Sequence, residues 1–402
     1  MGKHMTLPLF GVAKSCDGFA EDSPRIVVRL KSPEVAEPLG NCDFSLLRSD
    51  ADLSQSIEVG HRSVCLIGDS VDIPKTIANR FDRIISLPAK FDYLGSGDIL
   101  GFHIPSKKFR TLFREGSRHN SFLVTERCNN YCLMCSQPPK DVDDRWILDE
   151  IKRSLPLVPK SVRTLTFTGG EPLSDWVDFI EILTDCRDLL PNTAIQVLTN
   201  GRAFANSKIV DAWKSVSHPS LIAAIPVYAA VDYLHDYVVQ AKGAFDETIL
   251  GILKLKDRGQ RVEVRVVLHA HTAPNIAETS RWIARNLPFV DHVALMGMEN
   301  TGFALANEQS LWIDPMDYRE ALSDGVQTLA ASGLKVSIYN LPLCVIEQRI
   351  WPYAVQSISD WKNGYLEECR KCVEKDRCSG LFTSGRPRFS RGIVPISAVT
   401  AA

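Results

Sequence analysis

The sequence predicts an α/β protein: a partial, TIM-like (β/α)6 barrel, with a β-rich N-terminal domain before it and a cysteine-rich segment after it. Three observations carry this expectation. From about Asn120, apolar runs of strand length alternate with stretches of helical period about six times. Such alternation implies parallel strands with right-handed crossovers and helices on the outside. Upstream of that point, short apolar runs are punctuated by Gly and Pro, which reads as strands and turns. Downstream, four cysteines gather within a short stretch.

In the N-terminal zone, 1–117, the runs 25–30, 64–67 and 98–104 read as strands, and the zone carries no motif tied to chemistry. The zone 118–310 holds the barrel. Its strand runs are 121–125, 164–168, 195–199, 221–231, 262–268 and 292–296, and helical period fits 176–190, 245–256 and 276–286. In a barrel of this type the chemistry sits at the C-terminal ends of the strands. The zone 311–386 begins with a helix over 315–331 and a strand over 335–339, then carries the cysteine-rich segment. Residues 387–402 lack periodicity and read as a loose tail.

Composition narrows the function classes. Of 402 residues, 45% are hydrophobic and 23% charged, which is globular rather than disordered. The 46 basic and 48 acidic side chains leave a net charge of -2, which argues against a polynucleotide partner. No run of about 18 apolar residues suggests a membrane span, and the first residues show no signal-peptide pattern. The expected location is therefore cytoplasmic, where thiols stay reduced and clustered cysteines point to metal or catalysis. Of the 11 cysteines, Cys16, Cys42, Cys65 and Cys186 are isolated and read as small buried residues.

Directly after the first barrel strand stand Cys128, Cys132 and Cys135, spaced C-x3-C-x2-C. Three thiolates there suit three irons of a cubane cluster and leave the fourth iron open. A closed structural site would use four ligands, and no histidine lies between these cysteines to supply one. A zinc knuckle or three buried thiols is the competing reading. The second strand runs into Gly169-Gly170-Glu171-Pro172. Paired glycines let backbone approach a ligand, and the glutamate offers oxygens to an ammonium group. By itself G-G-E-P could be a tight turn; beside the cysteine loop it is informative.

Together these motifs resemble the radical S-adenosylmethionine (SAM) superfamily over about residues 118–300, with Thr199-Asn200-Gly201 after the third strand as a further shared feature. The resemblance implies that Cys128, Cys132 and Cys135 ligate a [4Fe-4S] cluster, that SAM chelates its open iron, and that Gly169, Gly170 and Glu171 hold the methionyl amine. It implies reductive cleavage of SAM to a 5′-deoxyadenosyl radical, fed by an electron donor such as flavodoxin or ferredoxin. The position before the third cysteine is often aromatic in the superfamily and packs on adenine; here it is Met134, whose thioether could also meet a ring. Asp232 is placed to meet the ribose and Arg265 the SAM carboxylate, with an ordinary salt bridge or solvated face as the alternative for each. His269 and His271 are expected to make ordinary polar contacts.

Cys344, Cys369, Cys372 and Cys378 are spaced C-x24-C-x2-C-x5-C and could close a site around zinc or a second [4Fe-4S] cluster. The spacing and Gly380 resemble the auxiliary-cluster segments of peptide-modifying radical SAM enzymes, which favours the cluster. The wording of 125–139, 296–304 and 358–363 is similar to the C component of the His-Xaa-Ser maturation system. That implies a precursor peptide or protein as substrate and a second radical SAM protein as partner. Two alternatives stay open: a cofactor-biosynthesis cyclase of the molybdopterin type, and a non-enzymatic module using its clusters structurally or as redox sensors. The cyclase reading has against it the roughly 120 residues before the first motif. No catalytic acid or base can be assigned without knowing the reaction.

Overall fold

The computed structural model describes residues 7–20, 24–385 and 388–398. Its centre is an open sheet of seven parallel strands in sequential order: Ser121–Leu123, Thr164–Thr168, Ala194–Leu198, Leu221–Pro226, Arg261–Leu268, His292–Gly297 and Val336–Tyr339. The expected six are all there. The strand anticipated at 335–339 joins them, pairing in parallel with the sixth from Val293↔Val336 to Met296↔Tyr339. The barrel sheet therefore extends into the zone 311–386.

The strands alternate as a two-faced sheet must. On the fifth, Val262, Val264, Val266 and Leu268 are buried towards the helices, whereas Glu263, Arg265 and Val267 take the other face. The helices Trp176–Leu189, Ala244–Asp257, Ile276–Asn286 and Pro315–Ala331 fall where the period places them. Trp146–Ser154, Ser207–Val216 and Asp232–Val239 are additional. Among the described residues no helix is long and apolar enough to cross a membrane.

The N-terminal zone is an eight-stranded mixed sheet with a filled interior. Strands Arg25–Lys31, Asp43–Leu47, Ser63–Ile67 and Arg83–Leu87 run parallel, and Ile99–His103 and Lys108–Phe113 extend the sheet antiparallel. Its two edge strands are Phe10–Val12, paired to Lys108–Phe113, and Ser15–Asp17, paired to Arg83–Leu87. Ala13 and Lys14 alone join them, so opposite edges of the sheet are consecutive in the chain and the sheet curls closed. Inside lie Val28, Leu30, Phe44, Leu46, Cys65, Ile85, Leu100 and Phe102, all buried.

The outer face of this barrel is not independent of the core. Val27, Ile99, Leu112 and Phe113 join one apolar cluster with Ile147, Ile151 and Leu155 beside helix Trp146–Ser154. Glu150 of that helix, 1% exposed, accepts from Arg110 Nε at 2.6 Å, and Arg25 stacks on Trp146 at 3.4 Å. A Cβ on Gly101 would sit 2.3 Å from Glu150 Oε1, so only glycine admits this approach.

The C-terminal segment expected to be loose is docked where it is described. Asp314 accepts from Arg391 N at 3.0 Å and caps helix Pro315–Ala331 through Met316 N at 3.0 Å. Val373 N donates to Ile396 O at 3.0 Å, and Ile396 is buried. Low periodicity hid this because the segment binds through main-chain groups and scattered side chains, among them Ser390, Arg388 and Arg391. Residues 387 and 399–402 of that expected tail lie outside the described residues.

Candidate functional site

The loop bearing Cys128, Cys132 and Cys135 follows the first barrel strand and is fixed from several sides. Thr125 Oγ1 donates to Asp144 at 2.9 Å, and Arg127 pairs with Asp144 and Asp175. Tyr131 N and Leu133 N donate to Val239 O and Val238 O, at 3.0 and 2.9 Å, tying the loop to the end of helix Asp232–Val239. Arg202 Nη1 donates to Asn129 O at 2.8 Å and to Asn130 Oδ1 at 2.6 Å. Phe303 N donates to Cys135 O at 2.8 Å, and Asn307 Nδ2 to Leu133 O at 2.9 Å.

The three thiols influence one another. Burial first, then Glu171 and Cys135, pushes Cys128 up to about 11, although the Asn130 and Asn200 groups oppose it. Burial and then Cys135 and Cys128 push Cys132 up to about 12. Burial also raises Cys135. Buried Tyr228 is raised by burial and then by all three thiols, with Arg265 opposing, which puts its phenol beside the cysteines. Thiols held protonated by burial and mutual repulsion are groups that a cationic centre would deprotonate; metal binding there would release protons.

The glycines allow a close approach to the cysteine loop's own backbone. A Cβ on Gly169, at φ +142°, would lie 2.4 Å from Thr125 O, and one on Gly170 would lie 1.9 Å from Arg127 O. Gly170 N and Glu171 N donate to Thr125 O and Arg127 O at 2.8 and 2.7 Å. The missing side chains thus face the cysteine loop's own backbone, locking the second strand to the loop, and do not face open ligand space.

Glu171 is 2% exposed. Its Oε1 accepts from Thr199 Oγ1 at 2.6 Å and Leu173 N at 3.0 Å; Oε2 accepts from Asn200 N at 2.7 Å. A carboxylate offers about four acceptor positions, so one remains, on Oε2. Burial holds its pKa above the usual range despite these three donors. One cation at the remaining position would offset that cost.

The other residues expected to contact SAM have partners within the chain. Met134 is buried against Tyr228, Val238, Val239, Ala304 and Leu311, so its thioether fills a core. Leu133 N and its bond to Val238 O turn the side chain that way. Asp232 is exposed at the start of its helix and accepts from Tyr233 N at 2.7 Å. Arg265 donates from Nε to Glu263 Oε1 at 2.5 Å, in a network with His292 Nδ1 (2.8 Å to Glu263) and Gln196. Burial would raise Glu263, but Arg265 and His292 hold it below the usual range. His269 and His271 make fewer polar contacts than expected: the buried Nε2 of each lacks a hydrogen-bond partner among the described residues. Residues that the motifs did not mark include Tyr228, Arg202 and Asn300. The exposed Tyr131, an aromatic between the first two cysteines, was legible as a ring on the loop.

Cys344, Cys369, Cys372 and Cys378 line one cavity, enclosed also by Tyr365, Ile393, Val394 and Ile396. Ile396 N approaches Cys372 Sγ at 3.4 Å. Burial raises Cys344 to about 11; the Val394 amide opposes, and Cys378 and Cys369 add to it. Burial raises Cys378, opposed by the Gly380 and Leu343 amides. Four thiols thus face one space, two of them touched by amides of the docked C-terminal segment. Among the described residues no three His, Cys, Asp or Glu side chains form a ready site for a metal ion. Of the isolated cysteines, Cys65 and Cys186 are buried as expected, whereas Cys16 and Cys42 are half-buried.

Residues 122–283 match the family model of the Radical SAM superfamily. Over that stretch the chain is similar to radical SAM domains. No curated protein matches. Among solved structures, SuiB of Streptococcus suis bound to S-adenosylmethionine is similar at 14% identity with a TM-score of 0.43, over 54% of this chain and 50% of that one. A radical SAM methyltransferase from Sphaerobacter thermophilus is similar at 15% identity and 0.41, over 67% and 82%. Coproporphyrinogen III oxidase (HemN) from Escherichia coli, a radical SAM enzyme, is similar at 13% identity and 0.42, over 53% and 52%. The matched region spans about half the length of SuiB and of HemN.

Proposed function

We propose that the protein is a radical SAM enzyme that modifies a ribosomally made peptide or protein, of the His-Xaa-Ser maturation type. The observation that carries this is the junction of three mutually repelling thiols with a buried glutamate, locked together through Gly169 and Gly170 at the C-terminal ends of adjacent strands. Cys128, Cys132 and Cys135 would hold the cluster, and the remaining acceptor position of Glu171 would take the methionyl ammonium. When bound, cluster and SAM supply one-electron chemistry that yields a 5′-deoxyadenosyl radical able to abstract hydrogen from substrate. The chain's own part is to fix the loop through Asp144 and Arg202, keep water from its underside with Met134, Val238 and Val239, and hold Glu171 in one orientation.

The finer assignment rests on three segments distant in sequence that meet in space. Stretch 296–304 is bonded to the cysteine loop through Phe303 N, and Glu299 pairs with Lys362 of stretch 358–363 at 2.6 Å. Asp360 of that stretch binds Arg114 Nη1 at 2.7 Å, tying in the N-terminal barrel. Cys344, Cys369, Cys372 and Cys378 would hold a second cluster, with an external flavodoxin or ferredoxin as electron source.

The test is anaerobic reconstitution, reduction with dithionite and addition of SAM together with a peptide of His-Xaa-Ser units. Expected are 5′-deoxyadenosine and a mass change in the peptide, both lost in Cys132→Ala. Reconstituted protein that forms no 5′-deoxyadenosine would remove the enzyme reading; 5′-deoxyadenosine with an unchanged peptide would remove the His-Xaa-Ser assignment.

A further inference from the structure

A further cavity, of about 110 Å3, lies apart from both cysteine sites, between the ends of the sixth and seventh strands and the docked C-terminal segment. Its walls are mainly apolar, with Met298, Leu311, Ile313, Leu341 and Phe382 among them, and Arg388 stacks on Trp312 at 3.8 Å at its side. A concave, mainly apolar space with few polar groups is the usual form of a small-molecule or side-chain site.

One of those few polar groups is unsatisfied. Asn300 lines the cavity, is 8% exposed, and its Oδ1 has no hydrogen-bond partner among the described residues. Leaving a buried acceptor unpaired costs about 1–3 kcal/mol, so such an atom calls for a donor. The residue cannot easily turn away. On one side Glu299 is held by Lys362; on the other, a Cβ on Gly302 would meet Cys135 O at 2.6 Å, and Phe303 N is bonded to Cys135 O. The acceptor is thus within three residues of a direct contact with the third cysteine of the loop. Glu171, the candidate ammonium site, lies at the second strand, four strands from the sixth along the sheet. Neither Glu171 nor the loop cysteines line this cavity.

We propose that this cavity is the substrate pocket, and that it takes an apolar side chain of a peptide whose backbone N–H donates to Asn300 Oδ1. The assignment rests on the radical SAM reading and adds to it which chemistry the substrate presents. The mainly apolar walls favour an aliphatic or aromatic side chain, because the one charged residue lining them, Arg388, is already stacked on Trp312. The lone acceptor selects a donor beside that side chain, which a peptide amide supplies. Residues 388–393 complete the wall, so the docked C-terminal segment is part of the pocket.

The probe is a diazirine analogue of N-acetyl-leucinamide, photolysed with the full-length reconstituted protein under anaerobic conditions and mapped by mass spectrometry. Labelling is expected at Met298, Ile313 or Leu341, competed by N-acetyl-leucinamide. In Asn300→Leu the half-saturating probe concentration should rise about tenfold. In Ile313→Trp, which fills the cavity and keeps the acceptor, labelling should vanish. Should Asn300→Leu fail to fold by circular dichroism, competition in the wild type and the Ile313→Trp result decide the matter. Labelling elsewhere, labelling that N-acetyl-leucinamide does not compete, or a folded Asn300→Leu that binds equally well overturns the proposal. The 5′-deoxyadenosine yield of the same preparation separates the two ideas. Pocket labelling without 5′-deoxyadenosine upholds the pocket and removes the enzyme reading; 5′-deoxyadenosine without pocket labelling does the reverse.

Discussion

Replacing Glu171 by Gln tests whether that side chain does more than hold its own loop. The carboxylate accepts from Thr199 Oγ1, Leu173 N and Asn200 N. Glutamine can keep an oxygen against the first two, but its NH2 then faces Asn200 N–H, donor against donor. One charge-assisted bond is lost, about 1.5–3 kcal/mol. Removing a buried charge, whose desolvation already raises the carboxyl pKa, offsets part of this. The expected net destabilisation is therefore modest, about 1–2 kcal/mol, read by urea denaturation. If Oε2 also binds the SAM ammonium, SAM affinity should fall about tenfold or more, since each tenfold is about 1.4 kcal/mol. Equilibrium dialysis with labelled SAM on the reconstituted variant measures it. A folded Glu171→Gln protein with unchanged SAM affinity would refute the assignment and leave Glu171 a cap for its own turn.

Three further outcomes follow from packing and charge. Deleting residues 393–402 removes Val394 and Ile396 from the four-cysteine cavity, so iron bound there should pass to a chelator about tenfold faster; an unchanged release rate would mean that the segment does not protect the site. Glu150→Ala leaves Arg110 without its buried partner and should cost about 3 kcal/mol in denaturant unfolding; a loss below 1 kcal/mol would show that the contact between the N-terminal barrel and helix Trp146–Ser154 is dispensable. Burial lowers His269 to about 3. Its folded pKa lies below the unfolded value of about 6.5, so its stabilisation is complete above 6.5 and is lost progressively as pH falls from 6.5 towards 3. Between pH 7 and 5 that amounts to about 2 kcal/mol. His269→Gln should lose about 2 kcal/mol less than the wild type over that interval, and equal losses would contradict the assignment.

Much of the barrel was legible because its signals are local. Helices Ile276–Asn286 and Pro315–Ala331 have the bounds their periodicity gives, and the buried strands announce themselves as apolar runs. The cysteine loop was legible from spacing alone. What was hidden depends on contacts between distant residues. The N-terminal sheet closes because Ala13 N bonds Lys107 O and Lys14 N bonds Ser86 O, pairings no local pattern encodes. Gly169 and Gly170 were recognised as points of close approach, but the partner is the Thr125–Arg127 backbone and not a ligand. The packing of Met134 against Val238 and Val239 goes with bonds from Leu133 and Tyr131 to helix Asp232–Val239, which no local pattern encodes. The partnership of Arg265 with Glu263, by contrast, was within reach: residues two apart on a strand share a face.

The central claim is that Cys128, Cys132 and Cys135 hold a cluster whose open iron meets SAM beside Glu171. The most direct measurement is electron–nuclear double resonance of the dithionite-reduced, reconstituted protein with SAM carrying 15N in its methionyl amine. The account predicts a 15N coupling to the reduced cluster, absent when all three cysteines are alanine, with about four irons per chain retained by that variant at the C-terminal cysteines. A wild-type protein that binds SAM but shows no 15N coupling would contradict it.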